Sequence, residues 1–362
     1  MAEFDIIGPP RTAEITFSLE PAYNVLVSLS LLGMADGFSG LSEWVYRTVE
    51  SASPERLHAN EIVLVDAMTY LGDAVWDSFP AWLDDLAARD ATAMRDQALQ
   101  VRLAKASQVL DEIPDPAELL ADRAAFLSFI EESIRRRGKG TFDSPIWEEM
   151  YGLFNDPPAL QDLIVTHLRT MWDETLAAEW ERNLALLEES VAAFNSLDLT
   201  GLTVDEVLSR VVMRSSLPKS LNWMGDSAER IIFVPSVHTG PYVLYLGSLD
   251  GTTERIAFGA RIPEGASVPA SALSRSELLM RLNALADDTR LRVVELVAQE
   301  GELSTPDIIE RLGFSQSAAS RHLEHLTATG YLTMRRHQNT NLYRLTPGRL
   351  EHTFEALKKL WQ

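Results

Sequence analysis

Two short helices whose ends are written into the sequence, followed by a basic ribbon of two strands, constrain roughly the last 90 residues more tightly than any other feature of the chain. Leu303 to Gly313 reads as the first helix: Ser304 can cap it, Asp307 completes a Ser-x-x-Asp capping pattern, Pro306 suits the first turn, and Gly313 suits the position just past the end. Phe314 to Leu326 reads as the second, ending at Gly330, with Ala319, Leu323 and Leu326 on one side and small hydrogen-bonding residues on the other. Tyr331–Arg336 and Thr340–Leu345 then read as strands joined by His337-Gln338-Asn339. Two helices across a tight Gly-containing turn, the second polar at its N-terminal end, are what reading a DNA major groove requires.

Charge distribution sharpens this. The 362-residue chain carries a net charge of −21, the wrong sign for a nucleic-acid binder. Yet residues 275–362 hold 12 Lys/Arg against 11 Asp/Glu, and the rest holds 20 against 42. Residues 311–349 alone hold six Arg, three His and one Glu. A basic patch therefore rides on an acidic body, and only that patch can attract a phosphate backbone. The acidic remainder is expected to serve solubility.

With 46% hydrophobic residues the chain can bury more than one core. It has no cysteine, which excludes disulfides, thiolate metal sites and cysteine nucleophiles. The longest apolar run, Val25 to Ala35, is too short to span a bilayer, and Met1–Asp5 lacks a basic leader region, so a cytoplasmic protein without membrane association is expected.

The expected fold class is mainly α with small β: an N-terminal helical domain with a short antiparallel β-sheet, then a C-terminal winged helix-turn-helix. Residues 1–262 form the acidic helix-rich domain, a sensor or assembly module, with β-hairpins near 229–261; 263–273 form a linker; 274–362 form the winged helix. Residues 13–19 alternate as a strand, and 230–235, 242–246 and 255–258 are short β-rich runs, with Asp250-Gly251 a hairpin signal. Between Pro21 and Val212 the pattern is helical, punctuated by Pro54, Pro80, Pro114, Pro116, Pro145, Pro157 and Pro158. The stretch after Pro158 is long for one helix and is expected to bend or split near Ala177–Trp180. Ser274–Glu277 is a capping box, Asp288 is the expected cap of the next helix, and a last helix spans about Pro347 to Trp361.

Leu285-Ala286-Asp287-Asp288-Thr289-Arg290-Leu291-Arg292, Ser315 to Leu323, Gly330-Tyr331-Leu332 and Leu342-Tyr343 resemble, in order and spacing, the ArsR family of bacterial winged-helix repressors. The resemblance covers about a quarter of the chain; a long N-terminal region, as in large ArsR-like regulators, departs from the compact family pattern. It implies a homodimer on operator DNA. The family's usual Cys-x-Cys metalloid site falls here on Ser304 and Pro306, which bind no soft metal. A second family site on the final helix meets only His352 and Glu355, too few ligands to close a shell. No metal and no cofactor is expected.

A recognition helix over 315–328 places Gln316, Ser317, Ser320 and Arg321 at base edges, with His322 on phosphate. Wing residues Arg335, Arg336, His337, Asn339 and Thr340 follow the backbone or enter the minor groove. Leu278, Leu282, Leu285, Phe354, Leu357 and Trp361 are candidates for a dimer seam, or pack against one another within one subunit. The partners expected are double-stranded DNA, a second copy of the chain and a candidate small-molecule effector.

No catalytic constellation stands out and the chain is not expected to be an enzyme. Arg137–Thr141 lacks the first Gly and the Ser/Thr of a phosphate loop, and Gly-x-Ser-x-Gly is absent. His58, His167 and His238 stand far apart. The loop Val234–Tyr242 either lines a ligand pocket or is an ordinary connection, and eight Trp suit a core first and an effector cavity second. The alternatives are an enzyme or ligand-binding protein in 1–260 with the winged helix as a targeting module, and a winged helix that binds protein.

Overall fold

The structure, a computed structural model, describes residues 13–358 except 39, 73, 139–141, 200–201, 203–205, 209–210, 212–227, 246–251, 264–274 and 338–339; side chains 275–277 and 337 are also outside the description. The expected linker 263–273, the Ser274–Glu277 capping box, the Asp250-Gly251 turn, Asn339 and Trp361 thus fall largely or wholly outside the described residues. The chain divides into two units, each discontinuous in sequence: one of residues 1–19, 34–46 and 183–362, the other of 20–33 and 47–182.

The regular elements of the second unit are helices throughout its described residues. It holds α1 (Pro21–Ser30), most of α2 (Glu43–Ser51), α3 (Pro54–Leu64), α4 (Ala67–Leu71), α5 (Phe79–Ala88), α6 (Ala91–Ala106), α7 (Pro116–Ala121), α8 (Arg123–Arg137), α9 (Ser144–Phe154) and α10 (Pro157–Met171). The punctuating prolines mark starts: Pro54, Pro80, Pro116, Pro145 and Pro157 occupy first-turn positions, where a missing N–H costs nothing. Five aspartates act in the same places: Asp90, Asp115, Asp122, Asp143 and Asp156 each accept a first-turn N–H. The core is aromatic. Phe79 lies 5.5 Å from Trp82 and 5.1 Å from Trp172, and Phe126 lies 5.9 Å from Phe154.

The long helical stretch does split. After α10 a single π-turn, Trp172–Leu176, precedes α11 (Ala177–Asn195). Thr175 Oγ1 donates to the Met171 carbonyl at 2.6 Å, the kind of i−4 bond that bends a helix.

The first unit carries both sheets. β1 (Glu14–Phe17), β2 (Arg230–Ser236), β3 (Val243–Leu244) and β4 (Thr253–Gly259) form one sheet in the order β1-β2-β4-β3. The mainly α, small β class holds, but the sheet is not antiparallel. β1 pairs parallel with β2 (Glu14 opposite Arg230) and β2 parallel with β4; only β3 and β4 run antiparallel. Local turn signals report neighbours in sequence, whereas the β1–β2 pairing joins strands more than 200 residues apart. Phe17, Phe194, Phe233 and Phe258 stack over this sheet, with Phe17 5.0 Å from Phe194 and 5.2 Å from Phe233. Its two central strands, β2 and β4, are buried on both faces, as parallel strands usually are.

The winged helix follows as α12 (Arg275–Leu285), α13 (Asp288–Glu300), β5 (Leu303–Ser304), α14 (Thr305–Leu312), α15 (Gln316–Ala328), β6 (Leu332–His337), β7 (Thr340–Leu345) and α16 (Arg349–Lys358). Its core gathers Val293, Val297, Ile308, Leu323, Leu326, Tyr331 and Tyr343. α13 is capped by Asp287, not Asp288: the Asp287 carboxylate accepts from the Arg290 N–H at 2.9 Å. The third strand, β5, pairs with β7, giving the order β5-β7-β6.

Candidate nucleic-acid interface

Local hydrogen bonds fix the two helices at their facing ends. Ser304 and Asp307 form a full capping box on α14, with Asp307 accepting from the Ser304 N–H at 2.9 Å. Hydrogen bonds from the Ser304 hydroxyl first, and from its N–H second, hold the Asp307 carboxyl below its ordinary value. Gly313 ends α14 at φ 70°, a left-handed conformation that a Cβ would strain. Ser315 then caps α15, accepting from the Ala318 N–H. Ser304→Ala is expected to cost about 1 kcal/mol. Thermal melts of wild type and variant check this; an unchanged melting temperature counts against the capping account.

The periodicity of α15 resolves its two faces. Ala319, Leu323 and Leu326 are fully buried, the two leucines in the winged-helix core. Gln316, Ser317, Ser320 and Arg321 are exposed on the other side, within the first half of the helix. His322 is half-buried, its Nδ1 3.8 Å from Asp287 and its ring 6.0 Å from Phe314. Burial pushes the His322 pKa down, partly opposed by Asp287.

In the ribbon, Arg335, Arg336 and His337 stand opposite Leu342, Asn341 and Thr340. Arg335 and Arg336 are exposed and Thr340 is half-buried. Arg335 is held by Glu302, Nε to Oε1 at 2.7 Å, in a bidentate pair. Arg336 forms no ion pair among the described residues, nor does Arg321. Arg344, which the sequence reading left out of the site, is also exposed on β7, with Nε 3.3 Å from the Thr333 hydroxyl. Its position in an alternating strand was the signal available for it. His337 belongs to β6 by its backbone, and its side chain lies outside the description.

Of the seam candidates, Leu278 and Leu285 are buried and Leu282 and Leu357 half-buried; α12 packs on α16 within the chain. Phe354 remains 48% exposed.

The far end of α15 is docked. His325 is buried, with its ring 6.3 Å from that of Tyr242, and Trp44 stacks on His238 at 4.4 Å. Gly240–Tyr242, at the end of the loop singled out above, lines a cavity together with Ala328 and Thr329. Of the six described tryptophans, Trp44, Trp82 and Trp147 are buried and Trp76, Trp172 and Trp180 are half-buried. The other histidines have structural partners: His58 bonds Glu149 at 2.8 Å, and buried His167 lies 3.3 Å from the Asn60 carboxamide oxygen. Among the described residues no group of three or more His, Cys, Asp or Glu could hold a metal ion, and no helix is long and apolar enough to cross a membrane.

A buried-faced helix presenting polar side chains beside a basic two-stranded ribbon defines a helix-turn-helix protein, and the helix-turn-helix domain family matches residues 285–335. The arsenic resistance transcriptional regulator ArsR1 of Pseudomonas putida is 46% identical over 63 residues, which are 17% of this chain and 49% of that one. The arsenical resistance operon repressor of Staphylococcus xylosus is 32% identical over 85 residues, 24% of this chain and 81% of the relative. The transcriptional activator HlyU of Vibrio cholerae is 30% identical over 86 residues, 24% and 79% respectively. The chain belongs to the ArsR-like helix-turn-helix regulators and carries a long N-terminal extension that these relatives do not cover.

Proposed function

We propose that this protein is a DNA-binding transcriptional regulator, acting as a repressor, that reads an operator duplex through α15 and the basic ribbon. The observation that carries the reading is the pairing of an anchored helix with a free polar face. Leu323 and Leu326 hold α15 in the core while Gln316, Ser317, Ser320 and Arg321 stay exposed at the end that enters a groove. Gln316 suits adenine, Arg321 suits guanine, and the serines suit either a base or a phosphate. Arg335, Arg336, His337, Asn339 and Thr340 follow the backbone, with Arg335 exchanging Glu302 for phosphate and His322 steadying the helix beside Asp287. One such module covers a small site, so a two-fold dimer is the assembly proposed, with Phe354 at the open edge of the α12–α16 pair. A sensor or assembly role falls to the acidic N-terminal residues 1–262.

Gel shifts on the chain's own upstream DNA test this. Binding should weaken steeply as salt rises. Arg321→Ala should cost about 1–3 kcal/mol and relax preference at one base position. Arg336→Ala should weaken all sequences alike and lower the salt slope by about 1. If both variants bind as wild type does, the DNA-reading assignment fails.

A further inference from the structure

The turn between α13 and β5 carries two carboxylates where a helix disfavours them. Glu300 ends α13 and Glu302 follows just past Gly301, at the negative end of the helix dipole, and the last turn of α13 holds no basic residue to offset them. Arginines from the DNA-reading elements offset them instead. Glu300 pairs with Arg311 of α14, and Glu302 pairs with Arg335 of β6.

The second pair has the geometry of a phosphate contact. Arg335 grips Glu302 through two parallel bonds, Nε to Oε1 at 2.7 Å and Nη2 to Oε2 beside it. A guanidinium takes hold of a phosphate by the same fork. Both partners can be reached from solvent, the Arg335 side chain being 55% and that of Glu302 28% exposed. Strand alternation puts Arg335 on the ribbon face of Thr333, whose cross-strand partner is Arg344, and turns Arg336 to the other face. Arg344 meets the Thr333 hydroxyl, whereas Arg335 meets a carboxylate. One of the two arginines on this face therefore has a counter-charge within the chain.

We propose that Glu302 is an internal competitor for the phosphate backbone, occupying Arg335 in the free protein and so lowering affinity for every duplex without altering which base is read. An exposed ion pair contributes little to stability, so the effect of this one falls on binding. A phosphate that engages Arg335 displaces Glu302 and trades one charged fork for another. The cation it sheds from DNA is matched by one taken up at the freed Glu302, so Arg335 adds almost nothing to the salt dependence while Glu302 is present. The inference rests on the DNA-binding reading above, and Glu302 acts in it through Arg335, as a positioning residue.

The test uses the full chain, with fluorescence anisotropy on a random-sequence duplex and on the chain's own upstream DNA across a salt series. Glu302→Gln should tighten both by roughly 3-fold or more at about 0.1 M salt and steepen the slope of log affinity against log salt by about 1. The preference between the two duplexes should not move. In an Arg335→Gln background the same substitution should change neither affinity nor slope, because the two residues act as one unit. Glu310→Gln is the control for bulk charge: Glu310 is exposed on α14 and forms no ion pair among the described residues, and its loss should leave the slope as in wild type. Binding by Glu302→Gln that is unchanged or weaker overturns the proposal, weaker binding being what a purely structural role for the pair would give. Tightening that persists without Arg335, or that Glu310→Gln reproduces, overturns it as well. Failure of the DNA-binding reading is told apart, since wild type then binds neither duplex and Arg321→Ala changes nothing, and the proposal falls with it.

Discussion

Acidification from pH 7 toward pH 4 is expected to destabilise both units, through one buried histidine in each. Burial pushes His167 down to about 4, with Arg56 adding to the effect. Burial likewise pushes His325 down to about 4; Arg290 and His322 add, and Asp287 opposes. Both start from an ordinary value of 6.5. The unfolded chain takes up a proton near 6.5 that the folded chain refuses until about 4, so the stabilisation is fully present above pH 6.5 and is lost as pH falls through that window. The loss is on the order of 3 kcal/mol for each residue at the acid end. Denaturant midpoints at pH 7, 5.5 and 4.5 measure it, with hydrogen exchange assigning the change to residues 47–182 or 183–358. His167→Gln should flatten the profile of the first segment and His325→Gln that of the second. A profile flat across the window in wild type would sink the account.

The same two histidines mark where the sequence is readable and where it is not. Caps and periodicity are local, so Ser304, Asp307, Gly313 and the Ala319–Leu323–Leu326 face of α15 could be placed from spacing alone. The exposed Gln316–Arg321 face follows from the same spacing. The break between α10 and α11 was legible as excess length, five residues from where the π-turn begins if Ala177 is taken as the mark. Choosing between Asp287 and Asp288 was not, because either carboxylate satisfies the pattern and only backbone geometry decides. The sheet's direction was also hidden. Nothing near Glu14 announces Arg230, and a parallel pair closes by a route no turn motif describes. His325 looked like any residue one turn beyond a recognition surface; its burial depends on Tyr242 and Gly40, distant in sequence. Glu302, which holds Arg335, is a charge of the wrong sign for a DNA contact and was invisible for that reason.

Replacing Gly40 by valine should dislodge the docked end of α15. Gly40 has φ +88°, a conformation that a β-branched residue adopts only under strain. A Cβ built there falls 2.4 Å from His325 Nε2 and 2.5 Å from its Cε1, and real Cβ contacts are never that short. The imidazole cannot retreat cheaply, because it is buried and carried by a helix whose neighbouring Leu323 and Leu326 are locked in the winged-helix core. Nor can the loop yield easily: a Cβ on Gly240 would fall within 3.0 Å of the Gly40 carbonyl carbon, so two backbone segments already meet there. Left-handed strain and overpacking together are expected to cost about 2–4 kcal/mol. Gly37→Ala is the control, with nothing within 4 Å of its added Cβ and an expected effect within about 0.5 kcal/mol. Denaturant unfolding ranks the two, and the operator gel shift asks whether the joint matters to DNA reading. If the joint sets the recognition helix, Gly40→Val changes operator affinity while leaving Gln316, Ser320 and Arg321 chemically intact. If Gly40→Val is as stable as Gly37→Ala and binds as wild type does, the docked end of α15 has no bearing on how the groove is read.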